Sequence, residues 1–341
     1  MGCLRLSCRH VDIPTALPLV LGRYSRGAGT DELIAGIRQS VGMLLHRCGT
    51  DQAHSRQSLS RESGDSSTGA HGCARSRLGR SSVSPMEHQI QFPNHRGEKL
   101  SATIHLPDGP SRRGVVLGHC FTCSRHTTIL RSICHALAAS GFLVLRFDFS
   151  GNGQSEGDFT ESTYSKQIQE MKRAAGYLVE RGVSWLGLAG HSMGAMVALL
   201  AAAEITAVRA LCALAARSRV MGAAEILSPE QLQQLQEMGR ISFVSRGRAL
   251  DLSREMFTDA ARHDLGRAVA SLSQPLLLVH GDRDEITPVE EAYDIQRYRP
   301  EGTRLAVMPG ADHMFSGDEH RRLVTEVVVS WFEEQAATTE V

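Results

Sequence analysis

The sequence predicts an α/β protein: a mostly parallel, eight-stranded sheet with helices on both faces and a small insertion between two strands. Three observations lead there. From residue 86 onward, short apolar runs alternate with stretches of helical periodicity. Strand–helix alternation of this kind requires right-handed crossovers and a parallel sheet covered on both sides. Residues 217–273 break the rhythm and are too long for a plain connection in a compact domain.

The elements follow in order. Residues 87–92 and 100–106 are β-rich and flank the turn signal Asn94–Gly97, which predicts a hairpin. GVVLGH, 114–119, is a buried strand. Residues 127–140 carry Ile129, Ile133 and Leu137 at helical spacing and stop at Gly141. FLVLRFDF, 142–149, is the next strand. A helix over 162–181 has Ser162 as its N-cap and Gly182 at its end. Strands at 185–190, 208–215, 275–280 and 304–308 alternate with helices at 193–204, 289–298 and 319–334. The insertion 217–273 holds mixed helical pieces, among them 228–238, which opens Ser-Pro-Glu. It is expected to cap the site.

Residues 1–85 read differently. They hold eleven Arg, no Lys and six acidic residues, so they carry about +5 and the remainder about −5. Residues 51–84 are dominated by Ser, Arg and Gly and cannot bury enough surface to offset ordering entropy. Three readings stand: a disordered basic tail, an Arg- and Ser-rich transit peptide, or a mis-assigned extension with Met86 as the real start. The apolar stretch Leu17–Leu21 is too short for a signal core. The domain itself is expected over 86–341.

The formal net charge of zero speaks against a nucleic-acid partner. No run reaches about 18 apolar residues, so no membrane span is expected. The eight Cys do not follow the spacing of a small secreted framework, which predicts reduced thiols in a cytoplasmic setting. A homodimer is left open.

The chemistry concentrates at three strand ends. Gly190-His191-Ser192-Met193-Gly194 matches G-x-S-x-G between a buried strand and an Ala-rich helix. That turn lifts a hydroxyl above the strand ends, into the field of a helix N-terminus. A Ser hydroxyl needs a base, and the base an orienting acid. Gly281-Asp282-Arg283-Asp284 follows one strand and Asp312-His313 follows the last, giving the order Ser192, Asp284, His313. Asp282 competes for the acid role but suits loop backbone; Asp312 suits an Asx turn. His280 reads as a buried, satisfied imidazole, and His191 as pointing away from Ser192. An oxyanion would be met by the backbone N–H groups of Met193 and Phe121. Asp148 reads as structural, and Gly151 and Gly153 as a tight loop near the pocket.

Cys120-x-x-Cys123-x-x-His126 offers a rival, metal-like or redox-like reading, with His119 as a further ligand. The bland alternative is small residues packed under the site. No metal or cofactor is expected from the rest of the chain.

GHCFTCS, LRFDFSGNGQSEGDF and GHSMG together resemble the α/β-hydrolase superfamily over 86–335, in the small-esterase branch of feruloyl-esterase-like enzymes and OsmC-fused hydrolases. The resemblance implies an α/β-hydrolase fold. It places Ser192, Asp284 and His313 at the triad positions and Phe121 and Met193 at the oxyanion-hole positions. It implies a serine hydrolase acting on small or medium acyl or aryl esters. His119-Cys120 departs from the His-Gly of most members. Thioesterases, acyl peptidases and non-catalytic relatives share the fold, which does not select among them.

Overall fold

The computed structural model describes residues 86–338. The readings made of residues 1–85 lie outside them.

Eight strands form one sheet: β1 (Met86–Pro93), β2 (Lys99–Leu106), β3 (Arg113–Gly118), β4 (Leu143–Phe147), β5 (Trp185–His191), β6 (Val208–Leu214), β9 (Leu276–Gly281) and β10 (Thr303–Met308). Their spatial order is β1-β2-β4-β3-β5-β6-β9-β10. β1 and β2 form the antiparallel hairpin, β2 runs antiparallel to β4, and every other pairing is parallel. This is the α/β-hydrolase fold the sequence implies.

The sheet is apolar on both faces because helices cover both. In β3, Val116 faces one core while Val115 and Leu117 face the other, the period-2 signature of a buried strand. On one face lie α2 (Tyr164–Val179) and α3 (Met193–Ala202). On the other lie α1 (Thr128–Ala139) and α9 (Asp318–Ala337), which pack against each other. α3 is buried along its whole length, so its Ala-rich apolar sequence fits all round.

The segment between β6 and β9 contains α4 (Ala223–Ile226), α5 (Pro229–Met238), a hairpin of β7 (Arg240–Ser245) and β8 (Arg248–Ser253), α6 (Arg254–Ala260) and α7 (Leu265–Ser271). The hairpin stands beside the helical pieces expected there. Ser228 caps α5 as its sequence predicts: its hydroxyl accepts the Gln231 N–H and the Gln231 side chain returns to the Ser228 N–H. α7 packs on α3 and on α8 (Glu290–Tyr298).

Two expectations are corrected. Ser162 does not cap α2. A single 3-10 turn over Phe159–Glu161 intervenes, and Thr163 takes the capping role, its hydroxyl accepting the Lys166 N–H at 3.1 Å. The thiols of Cys120 and Cys123 are joined, not reduced. The Cys123 N–H donates to the Cys120 carbonyl at 3.0 Å, and that tight turn brings the Cα atoms to 5.3 Å, inside disulfide range. Cys134 and Cys212 are free and buried. No helix among the described residues is long and apolar enough to cross a membrane.

One side chain ties a helix to the sheet centre. Trp331 of α9 is buried, stacks beneath the Arg304 guanidinium and donates its indole N–H to the Leu211 carbonyl of β6 at 3.0 Å. Trp331→Ala should lower unfolding free energy by about 3–5 kcal/mol and Trp331→Phe by about 1–2 kcal/mol, read from urea midpoints. A Trp331→Phe variant as stable as the native protein would show that the indole hydrogen bond contributes nothing.

Candidate active site

The residues singled out by sequence converge on the C-terminal rim of the sheet. Ser192 follows β5, Asp284 follows β9 and His313 follows β10. Parallel sheets gather ligand sites at that rim because the loops there emerge on one side.

Ser192 sits at φ 54°, ψ −117°, a conformation that costs about 1–3 kcal/mol for a residue with a Cβ. The surroundings hold it. Its N–H donates to the Leu214 carbonyl of β6 at 2.8 Å, and its carbonyl accepts the Ala195 N–H at 3.0 Å. The flanking glycines have no substitute. A Cβ at Gly190 would lie 2.2 Å from the Gly194 carbonyl oxygen, and one at Gly194 would lie 2.5 Å from backbone atoms of Gly118 and His119. The strand-to-helix turn therefore closes only with hydrogen at both positions.

His313 Nδ1 lies 2.8 Å from Asp284 Oδ2, and both side chains are buried. The other carboxylate oxygen accepts the N–H groups of Ile286 and Thr287 at 2.9 and 2.7 Å. Burial works to raise the Asp284 pKa. Hydrogen bonds from His280, His313 and the Thr287 backbone outweigh it and hold the carboxyl well below the usual range. An ionised Asp284 fixes the His313 proton on Nδ1 and leaves Nε2 as an acceptor. Asp282 takes the other role considered for it: its Oδ1 accepts the Gly310 N–H at 2.6 Å. Asp312 accepts the N–H and hydroxyl of Ser316 and so closes the His313 loop.

Two histidines that sequence reasoning set aside shape this centre. His191 Nε2 meets the His313 carbonyl oxygen at 2.7 Å, and the two rings lie 5.0 Å apart. The imidazole next to Ser192 thus holds the His313 backbone. Burial, followed by the neighbouring His313, pushes the His191 pKa down to about 4, so it is a neutral donor here. His280 Nε2 meets the Thr287 carbonyl at 2.7 Å and faces Asp284 Oδ2 at 3.3 Å, so it buttresses the acid's loop. His191 ends β5 and His280 is the penultimate residue of β9, each next to a loop that carries a motif residue, which is the signal from which their roles could be read. No hydrogen bond joins Ser192 Oγ to His313 among the described residues. Such contacts are often long without substrate and tighten when it binds.

The loop after β3 carries Phe121 in the disulfide turn. No hydrogen bond engages the Phe121 backbone N–H among the described residues, and Met193 is the first residue of α3, where helix geometry leaves the N–H free. The Phe121 ring packs on Phe159 and stacks on Phe243 of the β7–β8 hairpin, with centroids 5.3 and 6.3 Å apart. Beneath it, Asp148 pairs with Arg125 and accepts the Arg125 and Gln154 N–H groups at 2.6 and 2.9 Å, the structural role expected of it. Gly153 is obligatory there, since a Cβ would overlap the Asp148 carboxylate.

The metal-like reading of Cys120, Cys123 and His126 does not assemble. Both sulfurs are spent on each other, and His119 uses both ring nitrogens, Nδ1 toward the Cys120 carbonyl at 2.7 Å and Nε2 from the Phe149 N–H at 3.0 Å. Glu87, His105 and His135 also cluster. Arg146 Nε donates to His105 Nε2 at 2.9 Å, so the His105 proton sits on Nδ1, and the Arg146 guanidinium lies 3.3 Å from Glu87. A cation would have to displace that proton beside a fixed positive charge. Ser165, Asp259 and His263 form a second Ser-Asp-His group, but Ser165 donates to Asp259 at 2.6 Å and faces His263 Nε2 at 3.0 Å. Its hydroxyl hydrogen is already directed at the carboxylate rather than at the imidazole, the wrong direction for activating an oxygen.

The depressed pKa of Asp284 has a pH consequence. A carboxyl whose folded pKa lies below its unfolded value of about 3.9 stabilises the fold above that pH and loses the effect as pH falls. The gap in urea midpoint between the native protein and Asp284→Asn should therefore shrink on acidification from about pH 5 to about pH 3. A gap that stays constant over that range would contradict the ionised, multiply bonded carboxylate.

Comparison with known proteins agrees with this geometry. The profile of the Alpha/beta hydrolase family matches residues 115–327, more than half of the chain. A monoacylglycerol lipase of Mycolicibacterium smegmatis is 24% identical over 278 residues, covering 73% of this chain and 98% of that protein. Est1E from Butyrivibrio proteoclasticus, solved with ferulic acid bound, aligns with a TM-score of 0.63 and 26% identity over 73% of this chain and 99% of its own. The esterase domain of a Rhodothermus marinus protein aligns with a TM-score of 0.58 and 26% identity, over 72% and 97%. With the eight-stranded sheet, the turn at Ser192 and these matches together, the chain belongs to the alpha/beta hydrolase family.

Proposed function

We propose that this protein is a serine esterase that moves the acyl group of a small or medium carboxylic ester to Ser192 and then to water. The observation that carries the reading is the buried His313–Asp284 pair at 2.8 Å, presented at the rim where Ser192 is held in its strained turn. The likeness to a monoacylglycerol lipase and to two esterases at 24–26% identity supports ester-bond hydrolysis.

In this mechanism His313 Nε2 takes the Ser192 proton as the oxygen attacks the ester carbonyl. Asp284 stabilises the imidazolium that forms. The negative charge on the tetrahedral intermediate is met by the N–H groups of Phe121 and Met193, with the α3 dipole behind the latter. His313 then protonates the leaving alcohol. Water, deprotonated by the same imidazole, releases the acid and restores Ser192. The elbow strain keeps the nucleophile in one orientation, which lowers the entropy cost of attack. The aromatic cluster of Phe121, Phe159 and Phe243 offers apolar surface to an acyl or aryl group.

The test is turnover of p-nitrophenyl esters of graded acyl length. The native protein should hydrolyse the short and medium members. Ser192→Ala should lower kcat by about 10⁴-fold or more, and Asp284→Asn by about 10⁴-fold through the wrong His313 tautomer. Native-like turnover in Ser192→Ala would remove Ser192 from the mechanism.

A further inference from the structure

A cavity of about 630 Å³ opens beside the loop of Phe121. Its walls include Thr122 and Cys123, which follow Phe121, and Met314, which follows His313. Its charged lining is cationic: Arg246 and Arg248 from the cap hairpin, and Arg321 of α9. Among the described residues no carboxylate lines it, although residues 86–341 carry a net charge of about −5. A solvated face of this chain would be expected to carry the opposite sign.

The three arginines are not equivalent. Arg321 is neutralised by Asp318 and donates to the Ser316 carbonyl at 2.7 Å. Arg246 and Arg248 have no carboxylate partner among the described residues. Arg246 Nη2 lies 3.9 Å from the Met314 sulfur, and Arg248 Nη2 donates to the Gly151 carbonyl at 3.2 Å. Their remaining N–H groups are uncommitted to any anion. The hairpin tip that carries them is a defined turn: Arg246 and Gly247 have φ of 53° and 74°, the two positive values of a two-residue hairpin turn. The hairpin is pinned to the site loop by the Thr122–Ser245 hydroxyl pair at 2.7 Å and by Phe243 stacked on Phe121. The first turn of α1, free of acidic residues and with no side-chain cap on Thr127, also faces this cavity through Thr127 and Thr128.

We propose that the cavity binds an anionic group, a carboxylate or a phosphate, carried by the ester substrate, with Arg246 and Arg248 as its counter-charges. This rests on the esterase reading and narrows it to acidic esters. Guanidinium groups suit both anions because their paired N–H groups match two oxygens at once. The α1 N-terminus adds a favourable field of the same sign.

The experiment compares p-nitrophenyl esters of nearly equal shape: the butanoate, the succinate monoester and the 3-phosphonopropanoate. A second pair, p-nitrophenyl acetate and its 3-carboxy derivative, carries the charge on the alcohol side. After correction for alkaline reactivity, an anionic ester in one of these sets should exceed its neutral partner in kcat/KM by about tenfold, and the Arg246→Gln/Arg248→Gln double variant should erase most of that ratio. Raising NaCl from about 0.05 to about 0.5 M should erode the native preference, a readout independent of any variant. The succinate and phosphonate arms separate the two anion types. Calorimetric binding of the same esters to Ser192→Ala reads the preference even without turnover. Absence of hydrolysis of every ester, neutral and anionic, thus counts against the esterase reading, and equal handling of neutral and anionic esters by the native protein counts against the anion site. Equal rates in both sets, or a preference that survives both salt and the double variant, would overturn the proposal.

Discussion

Asp284 is a buried carboxylate with four partners. One oxygen accepts the N–H groups of Ile286 and Thr287, and the other faces His313 and His280. Burial alone would favour the protonated acid. The donors reverse that preference, and the retained negative charge then sets the His313 proton on Nδ1. A neutral acid there would donate rather than accept on one oxygen, and the imidazole would lose its fixed tautomer. The loop after β9 is thus the place where backbone geometry becomes electrostatics. Its conformation is itself secured by His280, the penultimate residue of β9, which holds the Thr287 carbonyl.

The same economy recurs at Ser192. The strained turn is kept by a donor to β6, by two glycines pressed against backbone, and by an imidazole, His191, that reaches across to the His313 loop. Strand ends β5, β6, β9 and β10 are adjacent or nearly so in the sheet. Parallel pairing therefore delivers the hydroxyl, carboxylate and imidazole to one rim without any long-range adjustment of side chains. The β7–β8 hairpin adds what the sheet cannot: an aromatic face from Phe243 and two arginines at its tip.

Much of this was legible in the sequence because it is local. GVVLGH, FLVLRF and PLLLVH are short apolar runs whose length and flanking turn residues favour strands buried on both faces, and each motif residue lies within a few positions of such a run. The small residues around Ser192 announce a turn that nothing larger fits. Other features depend on contacts far apart in the chain. The β7–β8 hairpin alternates with period two but buries only Ile241, Leu250 and Leu252, and it lies among helical segments that mask so short a pattern. The choice of Thr163 over Ser162 as a cap turns on one 3-10 turn. Cysteine spacing along the chain speaks for reduced thiols and says nothing of Cys120 and Cys123, where a local Cys123-to-Cys120 backbone hydrogen bond decides the geometry. The cationic cavity joins residues from the cap, the β3 loop and α9, a grouping no local pattern encodes.

The central claim is that one hydroxyl, that of Ser192, is the activated nucleophile. Treating the native protein with a fluorophosphonate and mapping the adduct by peptide mass spectrometry tests it most directly, because such reagents trap an activated serine through the same attack that begins ester cleavage. The account predicts a single adduct per chain, located on Ser192. No adduct, or an adduct on another serine such as Ser165, would contradict it.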